Sequence, residues 1–142
     1  MDNIGRVDLH LYAPFEGLSG GPPVPLAAAM PFYSDPEMTD HIGTLTLYGI
    51  SIPSTEFPSF FHCDITFCWH GPDQNLTDSD TMLTMTGIMI QGDPADGADQ
   101  AQGAPFLQLF AITGGTGQYV GAKGKATIDP SLGLQDYQIE FA

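Results

Sequence analysis

Apolar and polar residues alternate with period two through seven short runs of this chain, and glycine and proline break the chain between them. In VDLHLYA, Val7, Leu9 and Leu11 share one face while Asp8, His10 and Tyr12 share the other. IGTLTLYGISI sets Leu45 and Leu47 against Thr44 and Thr46. FFHCDITFCWH sets Phe61, Cys63, Ile65, Phe67 and Trp69 against His62, Asp64, Thr66, Cys68 and His70. DTMLTMTGIMI, PFLQLFAIT, QYVGAKGKATI and LQDYQIEFA keep the same rhythm. Successive side chains of an extended strand point to opposite faces, so the pattern predicts strands with one buried face. No segment holds a 3.6-residue apolar stripe for three turns. An eighth strand is expected within residues 24–34. Such a chain is an antiparallel all-β domain, closed into a barrel or folded into a sandwich, and closure removes edges that few charges here would protect.

The 142 residues, 42% of them hydrophobic, suit one domain with one core, and no repeat or boundary divides 1–142. Residues 12–40, rich in Gly, Pro and Ala, and residues 91–105, QGDPADGADQAQGAP, read as long loops, which in small barrels often form lids or mouths. Seventeen acidic side chains against three basic ones give a net charge of −14. Such a surface repels phosphate backbones, so neither nucleic acid nor an anionic membrane is expected as a partner. No segment reaches the roughly 18 apolar residues that cross a bilayer. The N-terminal MDNIGRVDLHLYAPFEG has no basic head followed by an apolar run, so a cytoplasmic protein is expected, with the sequon Asn75-Leu76-Thr77 inert. Cys63 and Cys68 lie five apart, on opposite faces of a strand, and are expected as two buried reduced thiols.

The stretch AITGGTGQYVGAKGKATI gathers glycines together with Lys123 and Lys125, two of the three basic residues. It is not a phosphate cradle. Tyr119 stands where the first glycine of a P-loop belongs before Gly124-Lys125, and Ala126 replaces the following Ser or Thr. A dinucleotide fingerprint fails at Val120. Glycine between two β-runs permits positive φ and tight strand reversal instead.

FAITGGTGQYVGAKGKATI resembles the signature hairpin of the allene oxide cyclase and dirigent proteins. IGTLTLYGISI, FHCDITFCWHG and LQDYQIEFA look like further strands of that family in the same order, so the likeness covers residues 5–12 and 42–142. The resemblance implies an eight-stranded antiparallel β-barrel around an apolar cavity, in a homo-oligomer such as a dimer or trimer. It also implies members that cyclise, that steer coupling, or that perform [4+2] reactions. Two positions depart from it: Ala13 and Phe15 occupy the places of the Glu-x-Asn of allene oxide cyclases. The dirigent arginine aligns with Lys123, which by the alternation shares a strand face with Tyr119.

Metal chemistry finds little support. His62-x-Asp64 imitates two ligands of an iron facial triad, but only His70 follows, so no metal and no cofactor is expected. His62 and Asp64 are expected to pair across solvent or an oligomer interface. No serine lies in G-x-S-x-G, and neither cysteine has a triad around it. The candidate interior comprises Leu9, Leu11, Phe15, Leu47, Phe61, Phe67, Trp69, Met85 and Phe110, which either plug the barrel or line a space for one small ligand. Gly43, Gly49 and Gly87 would leave room or let the barrel bend. A greasy cavity with few ionisable groups suits a reaction that needs the substrate folded more than a proton moved. The expected activity is a cofactor-independent intramolecular cyclase, an isomerase of [4+2] or hetero-[4+2] (Diels-Alder) type in secondary metabolism. Its substrate would be a hydrophobic polyene, polyketide or terpenoid, with Lys123, Tyr119 or Trp69 as hydrogen-bond donor. The alternatives are a carrier of a lipophilic molecule and a dirigent-like helper without chemistry of its own.

Overall fold

The computed structural model describes residues 6–14, 26–52, 60–74, 77, 79–91, 105–129 and 134–142. They form eight strands: β1 (Leu9–Ala13), β2 (Leu26–Tyr33), β3 (His41–Ser51), β4 (Phe60–Trp69), β5 (Thr81–Gln91), β6 (Pro105–Gly115), β7 (Gly124–Asp129) and β8 (Gln135–Phe141). Each pairs antiparallel with its neighbour in sequence, and β8 returns to β1, so the sheet closes into a barrel. The eighth strand is β2, which therefore interrupts the loop expected over 12–40; residues 15–25, and 92–104 of the second expected loop, lie outside the described residues. The strands flanking these two stretches end on the same rim, with Ala13, Leu26, Gln91 and Pro105.

Period-two alternation and register together decide what lies inside. Leu45 opposes Phe67 and Leu47 opposes Ile65 across β3 and β4, while Phe67 opposes Leu83 and Ile65 opposes Met85 across β4 and β5. Inward residues meet inward residues around the whole circuit, and all of these are buried. On β4 the inward set is Phe61, Cys63, Ile65 and Phe67, with His62 and Asp64 exposed on the outer face.

Two of the strand glycines leave no room. A Cβ at Gly43 would stand 2.2 Å from the Cys68 carbonyl oxygen and 2.6 Å from the Phe32 ring, and one at Gly87 would stand 1.9 Å from the Leu109 carbonyl oxygen. Gly43 and Gly87 let neighbouring backbone approach more closely than a side chain there would allow.

The run QYVGAKGKATI is not one strand. β7 begins only at Gly124, and Gly117–Tyr119 is a turn of 3-10 helix. Gly117 (φ 61°) and Gly121 (φ 76°) adopt the left-handed conformation and curl the segment out of the sheet. Tyr119 and Lys123 thus share a turn rather than a strand face.

Both cysteines are free and buried, Cys63 inward and Cys68 outward. Burial, then the Asp64 carboxylate, pushes the Cys63 thiol from its ordinary 9.0 to about 12. Burial also pushes the Tyr137 phenol upward. Both groups stay protonated in the folded state where the unfolded chain would release a proton, so their contribution is complete below pH 9 and disappears as pH rises toward 12. The urea midpoint is therefore expected to hold steady from about pH 7 to about 8.5 and to fall between about 9 and 11, with a shallower fall in Cys63→Ala. An equal fall in that variant would remove Cys63 as a cause.

Candidate functional site

The β6–β7 connection builds one rim of the barrel. Tyr119 N–H donates to the Thr116 carbonyl (3.0 Å) and Ala122 N–H to the Tyr119 carbonyl (3.0 Å), which sets the turn. Thr116 fastens it to the start of β5: its N–H donates to the Met82 carbonyl, its hydroxyl donates to the Asp80 carbonyl, and the same hydroxyl accepts from Met82 N–H. Ala142 N–H donates to the Lys123 carbonyl at 2.8 Å, tying the other end of the turn to the segment after β8.

This anchoring places the Tyr119 ring between Trp69 (centroids 4.9 Å apart) and Phe141 (5.8 Å, nearly parallel). Behind Trp69, ring contacts continue inward through Phe32 (5.2 Å), Phe67 and Tyr137, the later steps edge-to-face at 5.1 and 5.0 Å. Offset and edge-on contacts of this kind add to the stability gained from burial alone. A continuous column of rings therefore runs from the barrel centre to the rim.

At its outer end lies a recess of about 400 Å³, lined by Tyr119, Val120, Ala122, Lys123 and Phe141 among others. Val120 is 73% exposed, so the lip is apolar as well as the wall. All three basic residues of the chain lie along this end, because an adjoining recess that shares Phe141 is lined by Arg6 and Lys125. Arg6 pairs with Asp8 at 3.1 Å and Lys125 with Glu140 at 3.7 Å. Among the described residues no carboxylate lies within ion-pair distance of Lys123.

The structure thus brings Trp69, Tyr119 and Lys123 to one rim, where Leu9, at the start of β1, packs against the core. It does not bring the expected lumen residues to any open space. Leu11, Leu47, Phe61, Phe67, Met85 and Phe110 are each 2% exposed or less. A side chain that no water-sized sphere can touch borders no void able to hold even water. Among the described residues these six pack together in the hydrophobic core. Phe15 lies outside the described residues.

The polar groups of the interior are also spoken for. Tyr137 Oη donates to Gln135 Oε1 at 2.8 Å, and Gln135 Nε2 donates to the Pro14 carbonyl at 2.5 Å. On the outer face, His62 Nε2 and the Thr86 hydroxyl share a 3.2 Å hydrogen bond, and no group of three or more metal-ligating side chains occurs among the described residues. No helix among them is long and apolar enough to cross a membrane.

Phe32 and Phe141 belong to the site, and neither was marked by the sequence. Phe141 reaches the rim because β8 pairs with β7 so that it faces Gly124, a register that only the folded sheet supplies. The class that fold and site define is a closed eight-stranded barrel with an aromatic recess at one end. No model of a known protein family matches the chain, and no curated protein does.

Proposed function

We propose that this barrel is a binding protein for a hydrophobic small molecule bearing a carbonyl or carboxylate oxygen, held at the Trp69–Tyr119–Phe141 rim. One observation carries the reading: a recess of ligand size is walled by stacked rings and holds Lys123, which has no carboxylate partner among the described residues. The rings would bury the apolar body, and the Lys123 ammonium would donate to the oxygen.

The cyclase reading keeps one point in its favour, since all three residues expected to donate hydrogen bonds meet at this rim. Enclosing a flexible polyene in its reactive conformer needs walls on most sides, and a recess open at the rim favours carriage over conversion. Recovering a bound terpenoid unchanged after incubation supports carriage; recovering a cyclised isomer supports catalysis.

Trp69 is the single tryptophan, so its emission reports on this rim alone. Titration with β-ionone, a terpenoid ketone, is expected to quench Trp69 saturably. Lys123→Met should weaken the affinity about threefold to tenfold, the range of one ordinary net hydrogen bond. Tyr119→Ala should weaken it further by removing the ring wall. Unchanged affinity in both variants would remove the rim from the function.

A further inference from the structure

Among the described residues the barrel wall is joined most thinly between β1 and β2. β1 meets β2 through a single described pair, Tyr12 with Tyr33, whereas β2 pairs with β3 along its whole length. Past that pair, β1 ends at Ala13 and Pro14 follows; Pro14 and Pro31, neither with an N–H to give, stand on the two sides of the gap. A recess of about 610 Å³ occupies it, lined by Pro14, Met30, Pro31, Tyr33, Glu37 and Met38 among others. Its floor reaches the lumen, because Met30 points inward, is 5% exposed, and accepts from Gln135 Nε2 at 3.5 Å.

We propose that this seam is a second binding site, which takes a small organic cation with an apolar body. Three independent observations agree. First, the lining offers aliphatic and thioether surface, one phenol ring and one carboxylate, Glu37, with no lysine or arginine. Aromatic faces and carboxylates together recognise organic ammonium groups. Second, the local potential is negative: the Tyr12 phenol beside the seam is pushed upward by burial and then by Asp136, Glu37 and Asp35. The three basic residues line the two recesses that share Phe141, and none lines this one.

Third, Met38 is the one non-glycine residue in the left-handed region among those described (φ 59°). That conformation is costly for a side chain with a Cβ, and glycine or asparagine is the usual solution. The Asp35 carboxylate holds the turn in place by accepting from Thr39 N–H (3.0 Å) and Asp40 N–H (2.9 Å). Met38 in that conformation also lines the recess, and backbone strain of this kind gathers at functional sites.

The test uses 4-phenylbutylamine, a cation at neutral pH, and 4-phenylbutan-1-ol, its neutral counterpart, with backbone amide shifts of the full chain as readout. The amine is expected to shift Ala29, Tyr33 and Met38 saturably and to bind about fivefold tighter than the alcohol. Glu37→Gln should erase that preference. Met38→Gly relieves the backbone, so it should hold or raise Tm while weakening both probes, a combination that a purely structural role does not produce. The proposal is overturned if the amine shifts no seam residue at millimolar concentration, if the shifts gather on residues 119–123, if the two probes bind equally, or if Glu37→Gln leaves the amine's affinity unchanged.

Discussion

A Gly87→Ala substitution is expected to lower the stability of the barrel by about 3 kcal/mol, the upper part of the usual range for overpacking. At this chain length that corresponds to a fall of roughly 10 °C in Tm. The added methyl would lie 1.9 Å from the Leu109 carbonyl oxygen and 2.7 Å from Phe110 Cα. Both are backbone atoms of the paired strand β6, so no rotamer change relieves the clash and the β5–β6 ladder must part. Gly71→Ala is the control, since a Cβ there meets only the end of the Gln74 side chain at 3.3 Å. Thermal melts of the two variants should differ widely; equal melts would show that Gly87 is not a point of forced close approach.

Phe67→Ala is expected to cost about 4 kcal/mol, within the range for emptying a buried aromatic site. Phe67 has no exposed surface and touches Phe32, Trp69 and Tyr137 ring to ring. Its removal therefore takes the middle out of the aromatic column. The variant also tests the filled lumen directly. An apolar cavity of this origin stays dry and accepts benzene-sized guests. Saturating benzene should raise the Tm of Phe67→Ala well beyond any rise it gives the wild type through the rim recess. A wild-type response as large as the variant's would mean that the lumen already has room, and the cyclase reading would regain its chamber.

Both substitutions bear on the division between rim and interior. If the interior is a solid support, Phe67→Ala lowers stability and disturbs β-ionone binding only through the packing behind Trp69. Lys123→Met acts the other way, on affinity with little effect on stability, because Lys123 is exposed and has no described carboxylate partner. A surface charge of that kind contributes little to folding.

The sequence by itself determined most of the strands, which residues of β4 share a face, and closure as the economical solution; which of those two faces points into the barrel was decided only by the folded sheet. Alternation is local and survives without knowledge of partners, so Phe61, Cys63, Ile65 and Phe67 were legible as one apolar face, though not as the face that lines the lumen. The same alternation failed at Tyr119 and Lys123, where positive φ at Gly117 and Gly121 turned an apparent strand into a rim-building turn. Whether inward residues enclose space or fill it was beyond its reach. That depends on how far apart the opposite walls stand, and here large side chains from opposite strands pack together across the described core. Register, too, belongs to the tertiary structure: it set Phe141 beside Tyr119 and left the β1–β2 seam joined at one described pair, and strand pairing between distant segments is fixed only when the barrel closes.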